Sequence, residues 1–447
     1  MYENKKIFIL GMARSGYESA KLLLKKNNYV LINDNKPRES HDEEKIKELE
    51  GLGCHFVFGS HPENILDEGF DYFLKNPGVP IEHELVLKAR NMNISVINEV
   101  ELAYHLIPDD VTLIGITGTN GKTTTTTVTY NILKEAFGNR VHLAGNIGYP
   151  LCSIIDKLKS NDIIVMEVSC QQSENIINFH PDIALITNYS PAHLDFFKTY
   201  ENYKKVKAKM FYNQTKDNVA ILNALNNDVL CEMQGIKSQV KYFSSKERHD
   251  GCYLVNDEIY YNGNFVMKTN EINIPGLHNI ENCMAAISIA KEFNVSNEVI
   301  IKAINNFHGV THRLEFIRNV NGVKYYNDTE ATNIKCTQIA LASFINPTII
   351  ILGGLERGQN FYDLTPFMKN VKAIIGIGEC RKRVLEFGNS LNIDTYIYEY
   401  LKDTFPKIQE IVKENDIVLL SPASASWDQY KECEVRGDEF RDLVNKL

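Results

Sequence analysis

Residues 115–127 read GITGTNGKTTTTT, and this stretch sets the architecture of the middle of the chain. The apolar run before it, VTLIGI at 111–116, predicts a buried parallel strand, and residues 123–136 predict a helix. Glycines at 118 and 121 allow a tight turn whose backbone N–H groups can point into one concavity. Because Lys122 adds a positive charge and Thr123 a hydroxyl that can ligate a metal ion, the stretch predicts a cradle for the phosphates of ATP. The alternative is a polar loop that contains GKT by chance, since Ile116 stands in the place of the usual first glycine.

The composition is that of an ordinary globular chain, with 447 residues of which 44% are hydrophobic and 23% charged. This length predicts about two to four domains. A formal net charge of −9 argues against sequence-independent nucleic-acid binding, which needs a basic face. The sequence shows neither signal-peptide anatomy nor an apolar run of membrane length, so we expect no membrane insertion. Nine scattered cysteines without a CxxC pair favour free thiols, and hence a cytoplasmic protein.

The first hundred residues predict a βαβ unit. It consists of a strand at 6–10, a turn at 11–16 (GMARSG), a helix at 17–26 and a second strand at 29–32. Nucleotide-binding folds open in this way, but Ala13 replaces the middle glycine of the dinucleotide fingerprint and favours a different nucleotide. Asp34, at the end of the second strand, is either a ligand or a turn residue. The turn Asn76-Pro77-Gly78 either lines the same crevice or is only a turn.

A second set of candidate residues follows the phosphate-binding stretch. Glu167 lies near the C-terminal end of the apolar run 162–168, where a buried charge needs a cation, so it is a candidate magnesium ligand; the alternative is a paired structural glutamate. His193 follows the strand predicted at 183–187, close to where ligands gather in α/β sheets. A helix-like stretch at 203–210 carries four lysines and by itself indicates a solvated face.

The rest of the chain predicts alternating β segments at 240–275, with hairpin signals at 256–257 and 262–264, and then a second doubly wound sheet. Asn279 and Asn282 lie one helical turn apart, where their amides either read a base edge or serve as capping or surface groups. The predicted fold class is α/β with three domains. These are a Rossmann-like domain at 1–100, a central P-loop ATPase-type domain at 101–309 with a mostly parallel sheet and a small antiparallel part, and a Rossmann-like domain at 310–447.

The order of motifs along the whole chain resembles the Mur ligases. The segments that carry this resemblance are GTNGKTT, the Glu-x-Ser segment at 167–169, AHLD at 192–195, LHNIEN, HRLE and SPASASWDQ. The resemblance implies an ATP- and Mg²⁺-dependent amide ligase of peptidoglycan synthesis, and thus of cell-wall biogenesis, cell shape and cell division. GMARSG, NPGVP, AGNIGYP and GGLERG are most similar to the branch that joins D-glutamate to UDP-N-acetylmuramoyl-L-alanine through an acyl phosphate and a tetrahedral intermediate. We expect such an enzyme to be a monomer whose domains close over the substrates.

The resemblance also implies roles for individual residues. ATP would be bound by Gly118, Thr119, Asn120, Gly121, Lys122, Thr123, Thr124, Asn279, Asn282, Arg313 and Asp328. The UDP-substrate would be bound by Arg14, Ser15, Asp34, Asn35, Asn76 and Asn146. The amino acid would be bound by Thr332, Arg357, Ser426 and Trp427. The metal ligands would be Thr123, Glu167, His193 and Lys207 as a carbamate, with Lys122, His193 and Lys207 acting in catalysis.

Some positions depart from the family pattern. Glu330 replaces a usual lysine, Cys433 a usual aromatic residue and Asn76 a usual serine, and Ser169–Ser173 loses two apolar residues. The core chemistry is therefore better supported than the choice of amino acid. The alternatives are a folylpolyglutamate-synthetase-like ligase, an NTPase or phosphotransferase that needs no amino acid, and a non-catalytic protein that binds a UDP-sugar.

Overall fold

A computed structural model describes residues 1–447 as an α/β protein with three sheets. The strands of the three sheets lie within 6–97, 112–268 and 315–420. The predicted fold class is therefore confirmed, while the domain boundaries at 100 and 309 stay a prediction. No helix combines the length and the apolar character that crossing a bilayer would need.

The N-terminal sheet has five parallel strands in the order β3-β2-β1-β4-β5. This is the doubly wound order, with helices covering both faces of an apolar sheet. The elements are β1 Lys6–Leu10, α1 Arg14–Leu24, β2 Tyr29–Asp34, α2 Glu43–Gly51, β3 His55–Phe58, β4 Tyr72–Lys75, α3 Glu84–Asn91, β5 Ser95–Ile97 and α4 Glu99–Tyr104. Helix α1 begins at Arg14 rather than at Tyr17, so half of the turn predicted at 11–16 is helical.

The central sheet has nine strands in the order β14-β13-β12-β11-β10-β9-β6-β8-β7. Its parallel part contains β6 Thr112–Thr117, β7 Val141–Gly145, β8 Ile163–Glu167, β9 Ile183–Ile186, β10 Val219–Asn223, β11 Gln239–Ser244 and β12 Gly251–Val255. The antiparallel extension predicted for this region is formed by β13 Glu258–Tyr261 and β14 Asn264–Lys268. Its helices are α5 Lys122–Phe137, α6 Cys170–Ser173, α7 Leu194–Phe197, α8 Tyr200–Tyr212, α9 Asn227–Glu232, α10 Leu277–Glu292 and α11 Asn297–Asn305.

The third sheet has six strands in the order β15-β16-β20-β17-β18-β19, with β15 and β16 as an antiparallel hairpin. The strands are β15 Glu315–Val320, β16 Val323–Asn327, β17 Thr348–Gly353, β18 Val371–Ile377, β19 Asp394–Ile397 and β20 Ile417–Leu420. The helices are α12 Ile334–Ala342, α13 Arg381–Ser390, α14 Phe405–Ile411 and α15 Cys433–Asn445. Strands β16, β20 and β17 are parallel neighbours, so the loops that follow them lie at one edge of the sheet.

The chain divides into two compact units, of which the first contains residues 1–267 and 281–303, and the second residues 268–280 and 304–447. Within the first unit, a buried carboxylate connects the N-terminal sheet to a loop of the central sheet. Glu101 of α4 accepts the backbone N–H groups of Ile177, Asn178 and Phe179 at 2.8, 2.9 and 3.0 Å. Hydrogen bonds to a charged acceptor are among the stronger ones in proteins, so this contact fixes the N-terminal sheet to the loop before β9.

The structure overturns one interpretation of the sequence. The four lysines of α8 were expected to form a solvated face, but only Lys205 is exposed. Lys204 and Lys207 are buried and Lys209 is half-buried, because α8 packs against α6, α7 and α9 and the Lys207 ammonium reaches Thr117 at the end of β6. A run of lysines carries no signal that distinguishes an outer helix face from one that lines a site.

Candidate functional site

The loop predicted to bind phosphate, the phosphate-binding loop, connects β6 to α5 and is held by the segment that follows β9. Gly118 has a φ of 141°, and a Cβ there would lie 1.9 Å from Thr187 Oγ1. The Thr187 hydroxyl donates to the Asn120 carbonyl at 2.6 Å, and the Thr119 N–H donates to the Asn188 carbonyl at 2.8 Å. Helix α5 begins without a side-chain cap, and the N-terminus of a helix favours a bound anion.

Two members of the predicted group contribute directly to this loop region. The Lys122 ammonium donates to the Thr119 carbonyl at 2.9 Å, which curls the side chain back over the loop. Asn282 of α10 is buried, and its Oδ1 accepts from the Thr125 hydroxyl at 3.3 Å. A Cβ on Gly121 would lie 2.3 Å from this same oxygen, so the loop and Asn282 fit only because residue 121 has no side chain.

Glu167 lies at the end of β8, directly beside β6, and only 1% of the residue is exposed. Its Oε1 accepts from the Asn146 amide at 2.8 Å. Its Oε2 is also buried and has no hydrogen-bond partner. Because an unpaired carboxylate oxygen is costly to bury, this atom indicates a place for a cation. A hard divalent cation such as Mg²⁺ prefers such oxygen ligands, so the donor set fits that ion.

Lys207 reaches the same region from α8. The residue is 1% exposed, and its ammonium donates to Thr117 Oγ1 at 3.3 Å, at the end of β6. Burial and the positive charge of Lys122 lower its pKa to about 7, while Cys170 and Glu167 act in the opposite direction. A lysine with this pKa is partly neutral near pH 7, which makes its nitrogen a nucleophile.

His193 precedes α7 in a left-handed conformation, with a φ of 53°. Partial burial and the charges of Lys207 and Lys122 lower its pKa, which favours the neutral imidazole that a metal ion can bind. Electrostatic interactions therefore join Lys122, Glu167, His193 and Lys207, and the structure brings these four predicted residues into one region.

A cavity of about 610 Å³ lies at the carboxyl edge of the N-terminal sheet. It is lined by five of the six residues predicted for the UDP-substrate: Arg14, Ser15, Asp34, Asn35 and Asn76. Asn146, the sixth, lies instead beside Glu167. Asp34 accepts the N–H groups of Met12 and Lys36 at 2.8 and 3.0 Å, so its carboxylate already shapes both loops of the cavity.

The second unit contains the other predicted residues. Asn279 is buried, and its amide donates to the Pro275 carbonyl at 2.6 Å. Asp328 accepts from Ser421 Oγ at 2.7 Å and from the Leu314 N–H at 3.1 Å. Burial raises the pKa of this carboxyl to about 7. The Arg313 guanidinium lies 3.4 Å from the Glu330 carboxylate. Glu330, which replaces the lysine usual in the family, is therefore next to a residue predicted to bind ATP.

Three of the predicted amino-acid ligands follow β17 and β20. The Arg357 guanidinium lies 5.1 Å from the centre of the Trp427 ring, a distance at which a cation is attracted to an aromatic face. Ser426 is fully buried, and its hydroxyl has no hydrogen-bond partner. Thr332 follows β16, half-buried, next to Glu330. The Cys433 thiol and the Glu434 carboxylate lie within 4.8 Å of the Glu330 carboxylate, so this edge of the sheet also carries acidic groups.

Sequence reasoning missed the residue that joins these loops. Arg436 of α15 is 1% exposed, and its guanidinium donates to Thr329 Oγ1 at 3.0 Å and to the carbonyls of Thr329 and Ser424 at 3.1 Å. A weaker contact of 3.5 Å reaches the Gly353 carbonyl. One side chain therefore contacts all three loops that follow β16, β17 and β20. Nothing in its local sequence distinguishes this arginine from those on the helix surface.

The altered segment after Glu167 also has a local explanation. Gln172 is buried, yet its Oε1 accepts the Ser169 N–H at 2.9 Å while Ser169 Oγ accepts from Gln172 N at 3.3 Å. This capping box satisfies the amide within the first turn of α6. The polar residue at this buried position is thus compensated, and α6 still forms.

Comparisons with known proteins agree with this geometry. Residues 116–290 match the Mur ligase middle domain. A UDP-N-acetylmuramoylalanine–D-glutamate ligase from Enterococcus hirae is 42% identical over 450 residues, covering 100% of this chain and 97% of that protein. The protein of the same name from Streptococcus mutans is also 42% identical, with 100% and 98% covered. The chain belongs to the Mur ligase family.

Solved structures of Mur ligases share the fold. The UDP-N-acetylmuramate–alanine ligase MurC from Thermotoga maritima matches with a TM-score of 0.58 at 19% identity, covering 99% of both chains. The MurF ligase from Thermotoga maritima, solved in complex with ADP, matches with a TM-score of 0.60 at 17% identity, covering 99% of this chain and 96% of that one. At these identities the likeness establishes the arrangement of sheets and helices alone.

We expect Gly118→Ala to weaken binding of a fluorescent ATP analogue by about tenfold or more. The added Cβ meets Thr187 and the backbone of residues 187 and 188, and a φ of 141° strains any residue other than glycine, so the loop must move. The matched control is Gly138→Ala at the other end of α5, where φ is also positive, at 63°, but where nothing lies within 4 Å. Equal affinity of the wild type and Gly118→Ala would show that this loop does not hold the nucleotide.

Proposed function

We propose that the protein is an ATP-dependent ligase that forms an amide between the carboxyl of UDP-N-acetylmuramoyl-L-alanine and the amine of D-glutamate, in the cytoplasmic synthesis of peptidoglycan precursors. Full-length relatives at 42% identity carry the name of this activity. The observation in the structure that best supports it is the buried, unpaired oxygen of Glu167 at the end of the strand next to the phosphate-binding loop. That oxygen calls for a cation beside a triphosphate site, as phosphoryl transfer requires.

The first step overcomes the low reactivity of a carboxylate. An oxygen of the alanyl carboxylate attacks the γ-phosphorus of ATP, the bond from that phosphorus to the bridging oxygen breaks, and ADP leaves. Lys122 and the N–H groups at the start of α5 stabilise the negative charge that develops on the phosphate oxygens. The product is an acyl phosphate, whose phosphate is a good leaving group.

The second step forms the amide. The neutral amine of glutamate attacks the acyl carbon, giving a tetrahedral intermediate, and expulsion of phosphate then leaves the amide. The amine loses a proton during this step, and the phosphate that leaves can take it up. Ligation therefore depends on all three substrates, whereas a simple NTPase would release ADP without the amino acid.

Magnesium would be held by Thr123, Glu167 and His193, with Lys207 contributing after modification. A divalent cation there supplies charge neutralisation for the phosphate oxygens. Within the chain, the Asn146 amide orients the Glu167 carboxylate by donating to Oε1, and Oε2 would be the oxygen that ligates the ion. The orientation of a ligand by a neighbouring hydrogen bond is common at metal sites.

Three sets of residues are proposed to bind the three substrates. The cavity lined by Arg14, Ser15, Asp34, Asn35 and Asn76 is proposed for the uridine nucleotide, because it lies at the carboxyl edge of a doubly wound sheet. Arg357, with Thr332, Ser426 and Trp427, is proposed for D-glutamate, and Asn279, Asn282, Arg313 and Asp328 for the adenosine of ATP. We further propose that the enzyme acts as a monomer.

The function is tested by incubating the protein with ATP, Mg²⁺ and UDP-N-acetylmuramoyl-L-alanine, and then offering D-glutamate, L-glutamate or D-aspartate separately. Mass spectrometry should detect the D-glutamate adduct, and ADP release should require that amino acid. Lys122→Ala should abolish both signals, because the phosphate oxygens lose their mobile cation. If no amino acid supports product formation, or if ADP forms equally well without one, the proposal is wrong.

Lys207 is proposed to carry a carbamate, formed when its neutral nitrogen attacks CO₂ and loses a proton. Since its pKa is lowered to about 7, the amine is mainly protonated at pH 6 and mainly neutral at pH 8. Carbamate should therefore accumulate as the pH rises through this range. With ¹³C-bicarbonate, NMR should show a carbamate resonance at pH 8 that weakens at pH 6.

Lys207→Met should remove this resonance, and Lys205→Met, which changes an exposed lysine on the same helix, should retain it. A resonance that survives in Lys207→Met would assign the carbamate to another amine. A wild-type protein without the resonance at pH 8 would contradict the proposed modification.

Replacing Arg357 by Ala should raise the KM for glutamate by about tenfold to a hundredfold, because a charged hydrogen bond to the substrate carboxylate is lost. The KM for ATP should stay within about twofold of the wild-type value. Arg318→Ala, which removes an exposed arginine of β15, serves as the control in steady-state kinetics. An unchanged glutamate KM in Arg357→Ala would remove this residue from the amino-acid site.

A further inference from the structure

A buried ion pair in the first unit lies outside the residues assigned so far. The ammonium of Lys75, at the end of β4, lies 3.1 Å from Glu174 Oε2, and the two side chains are 0% and 5% exposed. Glu174 follows α6, the short helix that comes after the Glu167 strand. The pair therefore connects the N-terminal sheet to the segment that continues from the proposed metal ligand.

Lys75 also supports one wall of the nucleotide cavity. Its ammonium donates to the Val79 carbonyl at 2.5 Å and contacts the Asn76 carbonyl at 3.4 Å. These two residues close a turn, since the Val79 N–H donates to the Asn76 carbonyl at 3.0 Å. All five residues of the turn, 76–80, line the cavity. The ammonium thus holds the two residues that the hydrogen bond of the turn joins, Asn76 and Val79.

The other side of this turn is held by the Asn76 side chain. Its amide donates to the Leu10 carbonyl at 2.9 Å and its Oδ1 accepts from Ser15 Oγ at 2.8 Å. Asn76 therefore fixes the turn to the loop between β1 and α1, which forms another wall of the cavity. Without Lys75, the turn would be attached along one side only.

Glu174 in turn keeps Lys75 in place. Apart from the Lys75 ammonium, its buried carboxylate oxygens have no hydrogen-bond partner. Its backbone carbonyl accepts from the Lys209 ammonium of α8, the helix that carries Lys207. A buried charge without its partner is strongly unfavourable, so each member of the pair requires the other.

We propose that Lys75 is a positioning residue for the UDP-substrate, and that Glu174 anchors it. The ammonium holds the 76–80 turn in the shape that the uridine nucleotide meets, without touching the reacting atoms. This inference rests on the proposed function, because it assigns the cavity to the UDP-substrate. It predicts a change in affinity for that substrate alone.

The test compares Lys75→Met, Glu174→Met and the double variant Lys75→Met/Glu174→Met with the wild-type enzyme. Calorimetry measures the dissociation constant for UDP-N-acetylmuramoyl-L-alanine, steady-state kinetics gives kcat and the three KM values, and thermal unfolding gives Tm. Lys6→Met is the matched control, since Lys6 pairs with the exposed Glu68 at 3.2 Å at the opposite end of the same sheet.

We expect Lys75→Met to lower Tm and to weaken UDP-substrate binding by about tenfold or more, while kcat and the KM values for ATP and glutamate stay within about twofold. The double variant should regain thermal stability, because neither charge is then buried without a partner. Its affinity should remain low, because the carbonyls of the turn still lack the ammonium. Glu174→Met, which keeps these carbonyl contacts, should weaken binding less than Lys75→Met.

Affinity that recovers together with stability in the double variant would reduce the pair to a structural role and overturn the inference. So would Lys75→Met with wild-type affinity, or a loss that falls equally on all three substrates. If the wild-type enzyme itself fails to bind UDP-N-acetylmuramoyl-L-alanine, the proposed function is wrong and the inference falls with it. Wild-type binding and turnover combined with an unaffected Lys75→Met would refute the inference alone.

Discussion

The first unit depends on a single carboxylate, Glu167, that is buried at the end of a strand with one oxygen left unpaired. The parallel register of β8 with β6 fixes where this oxygen lies, since Ile116 and Glu167 are direct neighbours across the sheet. Two residues later on β6 the chain enters the phosphate-binding loop. Burial of an uncompensated carboxylate is tolerated in a folded protein when a cation completes the site. The energetic cost at this position is thus explained by the chemistry proposed for it.

The basic groups near this carboxylate have lowered pKa values, so their protonation can change near neutral pH. Lys207 approaches from α8 and Lys122 from the start of α5, and burial together with the repulsion between the two charges lowers the Lys207 pKa to about 7. A lysine in water would be fully protonated at about pH 7. Burial within the protein therefore allows the Lys207 amine to be partly neutral at this pH. His193 responds to the same charges in the same direction.

In the second unit, the loops that follow β16, β17 and β20 lie together at one edge of the sheet. Arg436 connects them through carbonyl and hydroxyl acceptors from two of these loops and a weaker contact to the third. Several hydrogen bonds to one planar guanidinium fix the loops in a mutual geometry that a single flexible ammonium would define less well. Close by, Glu330 lies 3.4 Å from Arg313, so the charge of this acidic residue is partly neutralised.

The sequence by itself determined the α/β fold class and the glycine-rich loop between β6 and α5, and it predicted the residues from which the site is proposed. Apolar strands and the glycines at 118 and 121 are local features, and they constrain the backbone wherever they occur. Only the tertiary structure decided which side chains are buried and which groups they contact. Lysines of α8 are buried, Lys75 pairs with Glu174, and Arg436 contacts three loops. Those outcomes depend on desolvation and on partners far away in the sequence, and neither is encoded in the spacing of neighbouring residues.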